Sequence, residues 1–204
     1  MAKKPKKPRP PDLTPIVCLD HDGVLNAVDP DGSLVASGAG WERFVVDVTP
    51  QTWPYRRYLA GPPPGPAQLS MTLNPGLHGT WIKSLLARGA QVGIASTWEE
   101  TWNMYVPELL GVPELPMAIS HAEHDRSKKS ETADQWKARA LADRYQHSKP
   151  LVWVDDWAQP WAQRWTRRSP ENTLVIPTDE RVGLTKPQMD QIDEFVDRFL
   201  EAAK

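Results

Sequence analysis

The sequence predicts an α/β fold: a three-layer sandwich whose mainly parallel sheet of about five strands is covered by helices on both faces. Two observations carry this prediction. Short apolar runs alternate along the chain with longer segments of helical periodicity. Two of those runs end in acids and a third ends in hydroxyls, and parallel sheets bind ligands at the carboxyl ends of their strands. With 204 residues and 40% apolar content, the chain is sized for one domain with its own core, spanning residues 13–204.

Residues 15–20, PIVCLD, read as a buried first strand. Cys18 inside it reads as a small buried hydrophobe. As the single cysteine it excludes an internal disulfide and a cysteine metal cage. A small insert follows at about 27–73. Within it SLVAS (33–37) and FVVDV (44–48) are expected to pair as a hairpin, LSMTL (69–73) to add a strand nearby, and GPPPGP (61–66) to be loop. Asn74 has the form of an N-cap with Pro75 at the first helical position. Leu77, Trp81, Ile82, Leu85 and Leu86 then recur at helical spacing up to Gly89.

AQVGIA (90–95) is the expected second core strand. A helix from about Trp98 should stop near Pro107 or Gly111, and LPMAI (115–119) should be a third strand. Residues 120–132 read as polar loop and 133–146 as helix. PLVWVD (150–155) is the expected fourth strand. Trp157, Trp161 and Trp165 then recur every four residues and read as one packed helix face, with Pro160 near its start. TLVIP (173–177) is the fifth strand. Thr185 and Gln188 fit a capping box, and the last helix carries Met189, Ile192, Phe195, Val196, Phe199 and Leu200 on one face.

Charge is distributed unevenly. Lys3, Lys4, Lys6, Lys7 and Arg9 all lie in the first eleven residues, so the rest of the chain carries 19 of the 24 basic side chains against 26 acids, a net of about −7. Residues 1–12 are basic and Pro-rich, cannot bury apolar surface, and are expected to be a disordered tail. Such a tail offers at most a weak electrostatic contact to nucleic acid. No apolar run is long enough to span a bilayer and no signal peptide is recognisable, so no membrane partner and a cytoplasmic location are expected.

The candidate chemistry sits at strand ends: Asp20 and Asp22 after the first, Ser96 and Thr97 after the second, Asp155 and Asp156 after the fourth, with a lysine before the fourth. Phosphate esters and carboxylates repel one another. A divalent cation between them offsets that repulsion, and magnesium prefers a few carboxylates with waters and a phosphate oxygen. Asp20, the backbone carbonyl of Asp22, and Asp155 or Asp156 are the candidate ligands. Asp22, two residues past Asp20, is placed to act as general acid and then base. Gly23 allows a tight exit from the strand. Hydroxyl and ammonium groups would hold phosphoryl oxygens.

LDHDGVLN (19–26), IAST (94–97) and VWVDDW (152–157), in this order, resemble the motifs of the haloacid dehalogenase (HAD) superfamily. Within it the chain is similar to small HAD domains, some linked to bacterial RNA-repair assemblies, which share DGVLN, TW (Thr97–Trp98), WK (Trp136–Lys137), WVDD (Trp153–Asp156) and GLT (Gly183–Thr185). The likeness covers about residues 15–200. It implies a Rossmann-like domain and a magnesium-dependent phosphohydrolase acting through an aspartyl-phosphate. Asp20 would be nucleophile and Asp22 acid/base. Ser96, or else Thr97, would bind phosphate. Lys137, with Lys128 and Lys129 as rivals, would be the phosphate-binding lysine, and Asp155 and Asp156 would bind or orient magnesium. The implied partner is a phosphorylated substrate such as a nucleotide or a nucleic-acid end. His21 departs from the apolar residue commoner there, and strand alternation turns it away from the site.

Other readings of the same residues fit less well. DHDGVLNAVDPD lacks the glycine position and the closing Glu of a calcium loop. His121 and His124, with Glu123 and Asp125, read as polar loop rather than metal site. A phosphoacceptor receiver domain would place its lysine after the last acid. A HAD-like binding or regulatory module with little turnover is the alternative to an enzyme.

Overall fold

The computed structural model describes residues 13–54, 65–120, 131–145, 148–168 and 171–202. The basic tail (1–12), residues 61–64 of GPPPGP, Lys128, Lys129, His121, Glu123, His124 and Asp125 lie outside them.

The first apolar run forms β1 (Ile16–Leu19), the inner strand of a parallel sheet. It pairs on one side with β4 (Gln91–Ile94) and on the other with β5 (Leu151–Asp155), and β6 (Thr173–Pro177) adds to β5. Such a strand is covered on both faces, which is why its sequence is apolar without alternation. Val17 and Leu19 join one core with Val92, Ile94, Val152 and Val154. That core is closed by α2 (Thr80–Arg88), α3 (Thr101–Leu110) and α6 (Lys186–Ala202). Ile16, Cys18, Leu151 and Trp153 point into a second core, under α4 (Ala133–Tyr145) and α5 (Gln159–Arg168). Trp102, Trp136 and Trp153 are fully buried in these cores. Truncating such a side chain costs about 3–5 kcal/mol. No helix among the described residues is long and apolar enough to cross a membrane.

Among the described residues the parallel sheet has four strands, and one of the five expected strands is not seen in it. LPMAI touches it only at a bridge between Met117 and Ile94, where Ile94 N–H donates to Pro116 O (2.9 Å) and Ala118 N–H to Ile94 O (2.8 Å). Pro113 and Pro116 have no N–H for a ladder. The Asn103 side chain takes both backbone groups of Leu115, accepting from its N–H (3.0 Å) and donating to its C=O (2.8 Å).

The insert also pairs differently from expectation. FVVDV lies in β2 (Glu42–Val48), whose antiparallel partner is β3 (Ala67–Leu73), while SLVAS becomes the short helix α1 (Ser33–Ala36). Asp29 accounts for this. Its buried carboxylate accepts from the N–H groups of Leu34 (3.1 Å) and Val35 (3.4 Å) and from Ser33 Oγ (3.4 Å). An anion meeting the free N–H groups of a first turn favours that turn over a strand. Arg43 of β2 donates to Asp29 O (2.7 Å) and holds the two together.

Several local expectations hold. Asn74 accepts from Leu77 N–H (3.0 Å) over a π-helical turn (Pro75–Gly79) that runs into α2. Gln188 accepts from Thr185 N–H (2.9 Å), and α6 buries Met189, Ile192, Phe195 and Val196. α3 begins at Thr101, later than expected, because residues 97–100 form a turn in which Glu99 has φ +47°. The tryptophan stripe holds only in part. Trp165 is buried against Trp153 (ring centroids 5.2 Å apart) and Trp161 is half-buried, but Trp157 precedes α5 and is 55% exposed.

Candidate active site

Parallel pairing brings the three strand ends together. Asp20 N–H donates to Val154 O (3.0 Å), which sets Asp20 beside Asp155. On the other side Ala95 N–H donates to Leu19 O (2.8 Å), so Ser96 and Thr97 leave β4 next to the end of β1. Ser96 is buried and Thr97 half-buried, and Ser96 Oγ accepts from Trp98 N–H (3.3 Å).

Asp20, Asp155 and Asp156 each offer a carboxylate oxygen, and these three atoms lie within 4.8 Å of one another. Lys137, buried on α4, donates from Nζ to Asp20 Oδ2 and to Asp155 Oδ2, the latter at 2.7 Å. Asp155 Oδ1 also accepts from Trp157 N–H (2.9 Å), and its Oδ2 from Trp153 Nε1 (3.3 Å). Asp20 Oδ1 accepts from His21 N–H (2.7 Å). The acids from β1 and β5 are thus locked to a lysine from α4, the WK residue singled out in the sequence.

The turn after β1 is built against Asp156. Gly23 has φ +72°, and a Cβ there would lie 2.6 Å from Asp156 Cγ, so this turn and this acid fit together only with glycine. Thr178 Oγ1 donates to Gly23 O (2.7 Å) and pins the turn to the segment after β6. Asp22 is held at both oxygens, by Asn26 Nδ2 (2.8 Å) and by Trp98 Nε1 (2.8 Å). Asn26 Oδ1 in turn accepts from Thr72 N–H (2.8 Å), so the insert hairpin is tied to the residue that orients Asp22. Asn26 and Trp98 had been given no role from the sequence. The available signal was their place in DGVLN and TW.

Among the described residues one ammonium meets three neighbouring carboxylates, two of them almost wholly buried, and cannot neutralise them all. Burial, aided by the Asp155 charge, pushes Asp20 up to about 8 against the pull of Lys137. Burial and Asp155 push Asp156 up to about 7. Burial works against the charge on Lys137, yet Asp155 and Asp20 hold its affinity for a proton above that of an ordinary lysine. His21 faces away, as strand alternation predicts. Its ring packs on Trp98 (centroids 4.3 Å apart), its Nδ1 faces Trp102 Nε1 (3.3 Å), and burial lowers it to about 4, so it is neutral at pH 7.

A set of three carboxylate oxygens, with no imidazole or thiolate among them, fits a hard divalent cation. Fold and site together define an α/β protein with an acid-and-lysine cluster at the carboxyl ends of a parallel sheet. Comparison with family models, with curated proteins and with solved structures gave no match.

Proposed function

We propose that this chain is a magnesium-dependent phosphohydrolase of the HAD type, with Asp20 as nucleophile and a phosphomonoester, such as a nucleotide or a nucleic-acid terminal phosphate, as substrate. The observation that carries the reading is the cluster itself: Asp20 beside Asp155, Asp156 within reach of the same point, and Lys137 bonded to the first two. Structural ion pairs seldom gather two buried acids and a third half-buried one at a single lysine, because the uncompensated charge is costly.

Asp20, Asp155 and Asp156, with the backbone carbonyl of Asp22, would hold the ion. When bound, magnesium supplies the positive charge that lets an anionic nucleophile approach an anionic ester and stabilises charge on the transferring group. The chain's own residues do the rest. An Asp20 oxygen attacks phosphorus, the bond to the leaving oxygen breaks, and Asp22 donates a proton to that oxygen. The product is an aspartyl-phosphate on Asp20. Asp22, now a carboxylate, takes a proton from water as the water oxygen attacks phosphorus. Inorganic phosphate leaves and Asp20 is restored. Lys137 and the Ser96 hydroxyl, with Thr97 beside it, would hold phosphoryl oxygens. Trp98 and Asn26 keep Asp22 in place during both proton transfers.

The test is a panel of nucleotides, sugar phosphates and phosphorylated RNA and DNA ends, with magnesium and with EDTA. Magnesium-dependent phosphate release is expected, reduced on the order of 10³-fold or more in Asp20→Asn. Full turnover by Asp20→Asn removes the mechanism. A wild-type chain inactive on the whole panel favours a binding or regulatory role.

A further inference from the structure

α5 runs against the charge of its surroundings. Beyond the first eleven residues the chain is acidic, yet QPWAQRWTRR holds Arg164, Arg167 and Arg168 and no acid. At about 100° per residue, Trp161, Arg164 and Arg168 fall on one stripe of α5, flanking the face that buries Trp165, and the exposed Trp157 lies in the turn just before the helix. The stripe begins at the candidate site. Trp157 follows Asp156 directly, its N–H is bonded to Asp155, and its indole is largely exposed. In the first turn of α5, Trp161 is half-buried and donates from Nε1 to Asp134 Oδ2 (3.1 Å), and the Arg164 guanidinium lies 5.4 Å from its ring centroid. Arg164 and Arg168 are exposed.

An exposed indole, a cation stacked on an aromatic ring and a further arginine form a pattern that single-stranded nucleic acid matches. Bases of any sequence stack on aromatic faces while arginines meet the phosphates. From Trp161 to Arg168 the stripe is roughly 10 Å long at about 1.5 Å per residue, and Trp157 extends it towards the acids, room for a few nucleotides rather than one. We propose that the Trp157–Trp161–Arg164–Arg168 stripe is a track for a single-stranded polynucleotide whose terminal phosphate lies at Asp20. Only the last clause rests on the phosphohydrolase reading.

Binding of fluorescein-labelled single-stranded DNA and RNA twelve-mers, phosphorylated at the unlabelled 3′ or 5′ end, would be followed by fluorescence anisotropy with the full chain. Trp157→Ala, which keeps the backbone N–H to Asp155, is expected to raise Kd about five- to a hundredfold. Arg164→Glu with Arg168→Glu should raise it at least tenfold and flatten the salt dependence by about 0.7 logarithmic units per lost phosphate contact. The arginine variants should hydrolyse a small aryl phosphate as the wild type does, which also shows that they fold. Unchanged oligonucleotide affinity in all variants overturns the track. So does equal competition by polyphosphate or polyglutamate, which would mean charge attraction alone. Weakened oligonucleotide binding in a chain that hydrolyses no ester keeps the track and removes the proposed function. Intact hydrolysis with unaltered binding does the reverse.

Discussion

Lys137→Met removes the ammonium that the buried acids Asp20 and Asp155 share beside a third, half-buried acid. Nζ is bonded to Asp20 and Asp155, and all three residues are almost wholly buried. Breaking a buried pair by removing one partner costs about 3–5 kcal/mol, because the remaining charge is left uncompensated. For a chain of this size that lowers Tm by roughly 6–20 °C. The loss should depend on pH in a definite sense. Asp20 titrates near 8 in the fold and near 3.8 in a free chain. Between those values the folded protein keeps a proton that the unfolded chain has released, so stability falls as pH rises through the window. Below about pH 4 both states are protonated and this stabilisation is present in full. Without Lys137 the folded acids hold protons more tightly still. The gap between variant and wild type should therefore be largest near pH 8 and shrink towards pH 5. Urea denaturation followed by circular dichroism in EDTA measures both. Adding Asp20→Asn to Lys137→Met should recover part of the loss. A gap under about 1 kcal/mol at pH 8, or one that widens as pH falls, would refute the account.

Two further outcomes follow from the same geometry. Magnesium at about a hundredfold excess over its Kd should add about 2.7 kcal/mol to folding stability, and more at pH 8 than at pH 5.5, because the raised acids must release protons to bind it. Melting curves of wild type and Asp155→Asn test this, and an equal shift in both places the cation elsewhere. Gly23→Ala should cost more than the about 1–2 kcal/mol of left-handed strain, since the added methyl also displaces Asp156. A variant with native Tm and native turnover would show that turn to be looser than its contacts imply.

The site was more legible than the sheet. Asp20, Asp22, Asp155 and Asp156 could be picked out because they stand where apolar runs stop, and strand alternation turned His21 away correctly, whereas Lys137, in the second turn of α4, was reached only through the WK of the resemblance. What pairing partners do is not written so locally. SLVAS has the composition of a strand, but Asp29, four residues upstream of Ser33, caps it as a helix. LPMAI is apolar enough for a strand, but its prolines and the grip of Asn103 on Leu115 leave one bridge. In the tryptophan stripe the spacing of four describes Trp161 and Trp165 on α5, but the helix starts after Trp157 and leaves that ring in water.

The strand order β4-β1-β5-β6 has a consequence for synthesis on the ribosome. β1 emerges early, yet one of its neighbours is encoded at Gln91–Ile94 and the other at Leu151–Asp155. Until both have left the exit tunnel, the inner strand has open edges, and Asp20 lacks Asp155 and Asp156 as neighbours. Long-range parallel pairing of this kind folds slowly. A nascent chain ending before residue 150 would keep an adhesive edge, and the pairing of β5 hides it in the same step that sets Asp155 beside Asp20.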